Sequence, residues 1–194
     1  MPFNRTVLMS DALHFSADQA INPYYGDPSV DLNKATKEHA AIAELLMGAG
    51  VNVTHVPSPV DSQDGVYTAN WALVRGNKAV LASLPNVRKA EEIYAEKTLI
   101  NLGKEVFHVP EGLKFSGQGD GLPCGDLLFC GSGYRSDVEA QAFAAESLGY
   151  RRIQLQTIPE LKDGTPVINP ISGWPDSFFY DIDLALSIIK MPEH

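Results

Sequence analysis

Along the chain, apolar residues at helical spacing lead into a glycine and then a short alternating strand, and this unit occurs three times. Within residues 31–49, Leu32, Ala35, Ile42, Leu45 and Leu46 share one helical face, with Lys34, Lys37, Glu38 and Glu44 on the other, which predicts an amphipathic helix. Gly50 ends it, and Val51, Val53 and Val56 alternate as a strand up to Pro57. Residues 88–102 predict a second helix with Ile93, Leu99 and Leu102 inward, ended by Gly103 and followed by a strand over 106–109. Residues 137–148 predict a third with Val138, Phe143, Ala144 and Leu148 inward, ended by Gly149 and followed by Ile153, Leu155 and Ile158 as a strand. The three glycines stand 53 and 46 residues apart, a period that implies stacked or closed modules of strand, helix and strand.

Further strands lie between these units. Trp71–Val74 turns at Gly76 and Asn77 into Ala79–Leu81, a hairpin by its turn chemistry, and Leu127–Cys130 reads as a buried strand. The apolar stretch 178–189 reads either as strand throughout or as strand then helix. Three helix–strand units are therefore complete and a fourth begins, so a closed architecture is expected to be incomplete at the C-terminal end of these residues.

Composition narrows the class. A chain of 194 residues, 44% hydrophobic and 20% charged, is ordinary globular material, read most simply as one domain over 1–194. A net charge of -9 leaves no basic stripe for tracking phosphates, which excludes a nucleic-acid binder of that kind and suits a small cationic ligand. Two cysteines, Cys124 and Cys130, make no disulfide framework, and no clustered histidines supply a metal site. No apolar run approaches the roughly 20 residues of a membrane span, so a cytoplasmic protein without a membrane partner is expected.

The densest run of glycine and polar residues is FSGQGDGL at 115–122, followed by GSGYRS at 131–136. Glycines 117, 119 and 121 permit a sharp bend or close approach to a ligand, and Asp120 and Arg135 offer opposite charges; a hairpin with loose ends and a binding site are both open on spacing alone. Arg135 stands just ahead of Ser136-Asp137, a helix N-cap, where a cation opposes the helix dipole; something should compensate it, and the carboxylate of a ligand would. Cys130, in an apolar strand, reads as core, whereas Cys124 reads as a loop residue beside the glycines. Asp64 before Gly65 also fits a turn, Asn70 a strand end, and Arg88 a solvated helix charge.

Six segments in order carry a family resemblance: INPYY at 21–25, DGVYTANWALV at 64–74, VRKAE at 87–91, FSGQGDGL, GSGYRS, and FYDID at 179–183. Together they resemble the guanidino-group-modifying enzymes, or penteins, most closely the dimethylarginine dimethylaminohydrolase and arginine dihydrolase branch. The resemblance implies an α/β fold, a five-module α/β propeller of ββαβ units around a central pocket, which agrees with the repeat. It implies attack of a cysteine thiolate on a guanidinium carbon, a thiouronium intermediate resolved by water, and a small arginine-like substrate, with no metal or organic cofactor. A homo-oligomer is left open.

Carried over residue by residue, the resemblance places Asp64, Asn70 and Asp120 around the guanidinium, Tyr67 over its face, Arg88 and Arg135 on the substrate carboxylate, and Asn22 at the entrance. Ser116 and Gln118 belong to the same substrate-binding segment; Asp120 and Asp181 are expected as the catalytic acids, with Asp181 either shuttling protons in place of the family's histidine or serving as one more guanidinium ligand. The chain departs from the family pattern at Ser116, where the family keeps an acid, at Asp181, where it keeps a histidine, and in having no cysteine at the nucleophile's position. Asp183 matches the family's own aspartate. Hydrolysis of a guanidinium C–N bond by a cysteine outside these residues is the leading expectation. A non-catalytic guanidine-binding or assembly relative is the alternative, and amidinotransfer is a third reading.

Overall fold

A computed structural model describes residues 5–19, 30–84, 86–168, 170 and 179–189. The chain divides into two compact units, Met1–Thr68 and Ala69–His194.

In the first unit β1 (Thr6–Ser10) and β2 (Asn52–Val56) pair in parallel, Thr6 opposite Asn52 and Ser10 opposite Val56, with α1 (Leu32–Gly48) as the crossover that parallel strands require. Asp31 caps α1, its carboxylate accepting from the Lys34 backbone N–H at 3.0 Å. The apolar face read from the sequence is only partly buried. Ala43 packs inward, while Leu32, Ile42 and Leu45 are exposed.

The second unit holds the module twice. β3 (Ala72–Arg75) and β4 (Lys78–Leu81) form the expected hairpin, α2 (Ala90–Asn101) crosses over, and β5 (Glu105–His108) joins parallel to β4. β6 (Gly121–Cys124), β7 (Leu127–Ser132), α3 (Val138–Leu148) and β8 (Arg151–Gln156) repeat it strand for strand. The glycines read as stops end all three helices with positive φ: 82° at Gly50, 76° at Gly103 and 69° at Gly149, the left-handed conformation that only glycine adopts without strain.

Several inward assignments are overturned. On α2, Leu99 is buried with Ala95 and Glu91, but Ile93 is 78% exposed and Leu102 is exposed; on α3, Val138 is exposed and Phe143 only half-buried. α2 lies with its small residues and Glu91 against the sheet, so the face with most apolar bulk points outward. The core is built from Leu73, Val80, Phe115, Leu128 and Cys130 on the sheets, against Ala140, Ala144, Ala145 and Leu148 of α3. Three alanines let the α3 backbone approach both sheets closely. Arg75 of β3 also caps the end of α3, its guanidinium donating to the carbonyls of Leu148 and Gly149 and stacking on Tyr150 at 4.2 Å.

Two further differences concern the C-terminal part. A short hairpin of β9 (Leu161–Lys162) and β10 (Thr165–Pro166) was not foreseen. Of the stretch 178–189, the described residues form neither strand nor α-helix but one 3-10 turn, Ile182–Leu184.

Candidate active site

The glycine-rich run is both a turn and the floor of a buried polar cluster. Phe115 pairs with Ser83 across an isolated bridge, residues 117–119 make a 3-10 turn, and Gly121 opens β6, which returns as β7. Ser116 and Asp120, at the two ends of that turn, are buried at 0% and 2% exposure. Gly119 has no room for a side chain: a Cβ there would lie 2.5 Å from Asn70 Nδ2 and 3.2 Å from Asp181 Oδ2.

Asn70 is the hub. Its Nδ2 donates to Ser116 Oγ at 2.9 Å, to the Ser116 carbonyl at 3.2 Å and to Asp181 Oδ2 at 3.3 Å, and its Oδ1 accepts from Arg88 Nη1 at 3.0 Å. Arg135 Nη1 meets Asp181 Oδ2 at 3.1 Å, and its guanidinium lies 4.3 Å from the centre of the Tyr180 ring. Asp181 is therefore an anion that compensates Arg135 ahead of α3 from within the protein. Its other oxygen, Oδ1, is buried without a hydrogen-bond partner among the described residues.

Asp120 accepts from the Ser136 hydroxyl at 2.6 Å and from the Ile182 N–H at 3.1 Å. Burial pushes its carboxyl well above the usual range and the charge of Asp181 adds to this, against the opposing pull of Ser136, Ile182 and Arg135. Ser136, read as part of a helix cap, is thus diverted to Asp120, while Asp137 begins α3 and turns its carboxylate to the Lys114 N–H at 2.7 Å. Asp183 is pushed up to about 6, by the protein packed around it first and by Asp181 second, although its side chain reaches solvent.

That elevation sets a pH dependence. Between the ordinary carboxyl value of 3.8 and about 6, the folded protein holds a proton on Asp183 that the unfolded chain has released. Stability therefore falls as pH rises through this window, and Asp120 contributes in the same sense. The midpoint of urea unfolding is expected to drop between pH 4 and pH 6, with a shallower slope in Asp183→Asn; identical slopes for both proteins would contradict the assignment.

The second unit thus brings together Asn70, Arg88, Ser116, Asp120, Arg135 and Asp181. Gln118 is half-buried on the 3-10 turn and outside this hydrogen-bonded group. Arg88, far from being a solvated helix charge, is 6% exposed. Asp64 and Tyr67 lie in the first unit, Asp64 buried with its carbonyl accepting from the Tyr67 N–H at 2.9 Å, and Tyr67 half-exposed and edge-on to Phe15 at 6.0 Å. Asn22 and the rest of INPYY fall outside the described residues. Cys124 is on β6 and buried, not in a loop, and Cys130 is core with its thiol pushed up to about 12 by burial, so neither presents a ready thiolate. Among the described residues no cluster of three or more histidine, cysteine or acidic side chains suits a metal, and no helix is long and apolar enough to cross a membrane.

One member of the cluster was missed: Glu91, fully buried and paired with Arg88 through both oxygens. The signal was the spacing of three between Arg88 and Glu91, the distance of one helical turn.

No family model matches the chain. In sequence it is 29% identical over 161 residues to the bifunctional arginine dihydrolase/ornithine cyclodeaminase AgrE of Nostoc sp., covering 79% of this chain and 22% of that protein. It is 28% identical over 195 residues to the N(G),N(G)-dimethylarginine dimethylaminohydrolase of Mycobacterium tuberculosis, covering 97% of this chain and 57% of that one. The chain therefore spans between about a fifth and three fifths of the length of these relatives. The N-terminal domain of ArgZ, a cyanobacterial arginine dihydrolase solved with bound product, superposes with a TM-score of 0.80 at 26% identity, over 93% of this chain and 61% of that one. A dimethylarginine dimethylaminohydrolase shares the fold at a TM-score of 0.68 and 20% identity, over 80% of this chain and 62% of that one. The repeated ββαβ modules, the ordered segments from residue 64 to 183 and these relationships agree: the chain has the fold of the guanidino-group-modifying enzymes, or penteins, and is similar in sequence to arginine dihydrolases and dimethylarginine dimethylaminohydrolases.

Proposed function

We propose that this chain supplies the ligand-binding part of a hydrolase that cleaves a guanidinium C–N bond of arginine or a methylated arginine. The observation that carries the reading is the Oδ1 of buried Asp181, without a hydrogen-bond partner among the described residues, beside a second buried carboxyl group, Asp120. With Glu91 pairing with Arg88, Arg135 is the cation that two acids share among the described residues, and Asp120, whose carboxyl burial holds above the usual range, becomes the second anion only when a further cation arrives. A guanidinium is planar, permanently charged and forked, and it supplies both the charge and the donors.

The chemistry would run through a cysteine thiolate from outside these residues, since Cys124 and Cys130 are buried in the sheet. The sulfur bonds to the guanidinium carbon, ammonia or an alkylamine leaves after taking a proton, and water then displaces the sulfur to give a ureido product. Asp120 and Asp181 serve as the acids that hold the guanidinium and pass its protons, with Ser116 and Gln118 on the turn beside them. Support comes from the relatives: AgrE has been solved as a cysteine-to-alanine mutant with L-arginine. The same reading takes residues 1–194 as one domain of a closed propeller acting in the cytoplasm on a small guanidino substrate.

In the full-length protein, millimolar L-arginine or a methylated arginine is expected to raise the melting temperature, because a ligand of the folded state alone must stabilise it. Ureido product should accumulate in the same sample. Stabilisation without product would favour binding without turnover, a reading consistent with Ser116 being tied to Asp181 through Asn70. No shift with any of these ligands would overturn both.

A further inference from the structure

We propose that Gln141 of α3 is a positioning residue for the acid cluster: its amide fills the place in the sheet that the Asp120 N–H has left, and so holds the strand end against which Asp120 and the 182–184 turn are set. The reaction it would serve rests on the guanidine reading above, whereas the geometry does not.

β6 and β7 pair with Gly121 opposite Cys130, so the next pair along the ladder is Asp120 and Gly131. Opposite residues of a hydrogen-bonded pair exchange two bonds. Only one is made here. The Gly131 N–H donates to the Asp120 carbonyl at 3.1 Å, while the Asp120 N–H turns back to the Gln118 carbonyl in the 3-10 turn. That leaves the carbonyl of buried Gly131 without its ladder donor, and an unmatched acceptor in the interior is costly. Gln141 supplies the donor: its side chain is fully buried, and its Nε2 donates to the Gly131 carbonyl and lies 3.5 Å from the Asp120 carbonyl.

The amide has one orientation available. Two carbonyls meet its NH2 end, and at its other end Oε1 accepts from Gln154 Nε2 of β8 at 2.8 Å. Gln154 is fixed as the donor by the Cys130 carbonyl at 3.3 Å and Ser132 Oγ at 3.1 Å. The two amides thus link β8, across β7, to the backbone of Asp120.

Both acids rest on that backbone. Gly131 packs directly against Ile182: a Cβ on Gly131 would lie 2.7 Å from Ile182 Cβ and 3.3 Å from Asp120 Oδ1. Ile182, the residue after Asp181, donates its N–H to Asp120 Oδ1 at 3.1 Å. A shift of the Gly131 carbonyl therefore moves Asp120 and Asp181 together, and Gln141 acts on them through the main chain.

The test uses the full-length protein with aspartate labelled in carbon-13 at the side-chain carboxyl, the Asp120 signal being assigned by its loss in Asp120→Asn. Gln141→Met keeps the length of the side chain and removes the amide, and Gln154→Met, on an exposed residue, removes only the group that orients it. Asp120 is faced by Asp181, Arg135, the Ser136 hydroxyl and the Ile182 N–H, and burial holds its carboxyl above the usual range. In Gln141→Met its titration midpoint is expected to move down toward the ordinary carboxyl range, and in Gln154→Met to move the same way by less. A midpoint unchanged in both variants overturns the proposal even where the melting temperature falls, because Gln141 then serves only the packing of α3. If Gln141→Met does not fold, Gln154→Met decides by itself. Calorimetry with L-arginine is expected to show binding weakened roughly tenfold in Gln141→Met, and undiminished binding overturns the positioning role. If the parent protein binds no L-arginine, the guanidine reading fails and the Asp120 titration alone decides the role of Gln141.

Discussion

Replacing Arg135 by methionine is expected to lower the stability of the folded protein by about 3–5 kcal/mol, the cost of leaving one member of a buried ion pair without the other. Asp181 is 4% exposed, and its only charged hydrogen-bond partner among the described residues is Arg135, at 3.1 Å. Without that cation it would face Asp120 with only the neutral Asn70 amide as donor. Methionine keeps much of the side-chain volume, so the loss reports charge more than cavity. The melting temperature should fall on the order of 10 °C. Asp181→Asn placed on top of Arg135→Met should cost much less than Asp181→Asn alone, because the charge it removes is already unpaired. Equal costs in both backgrounds would show that the pair is not coupled. Arginine-induced stabilisation should disappear in Asp181→Asn, since Asp181 is the proposed guanidinium acceptor.

Phe115→Ala is expected to cost about 3–5 kcal/mol by chemical denaturation. Phe115 is 1% exposed within the cluster of Leu73, Val80, Leu128 and α3, so truncation opens a cavity where the two repeated modules meet. Its backbone also exchanges two hydrogen bonds with Ser83, at 2.8 and 3.1 Å, which fixes the start of the turn bearing Ser116, Gly119 and Asp120. The variant should therefore lose ligand affinity along with stability. Phe115→Leu, which conserves most of the volume, should lose far less of both. An alanine variant within about 1 kcal/mol of the parent would mean that this side chain is not the anchor.

The glycine run shows how much could be read in advance. Its three glycines and two opposite charges drew attention to Asp120 and Arg135, and the fold brings both to Asp181. The family resemblance places Arg88 and Arg135 on a ligand carboxylate; within the protein they pair with Glu91 and Asp181 respectively. Motif spacing conveys residue identity at a position but not which groups meet across the fold: Asp181 lies 46 residues from Arg135 and 111 from Asn70. The outward placement of Ile93 and Leu102 was unreadable for a related reason, since helical spacing defines a face but not which face the sheet covers.

Sequence alone determined the module and its repetition, because local chemistry suffices there: helical periodicity, a left-handed glycine at each helix end and two-residue turns act over a few residues. It also pointed to the fold and to the similar proteins, through ordered segments. Tertiary structure decided the electrostatics. Only the packed fold places Asp120 near Asp181 and Arg135, leaves an oxygen of Asp181 without a partner among the described residues, and sets Glu91 behind Arg88 and Asn70, because these depend on burial and on distances between residues far apart in the chain.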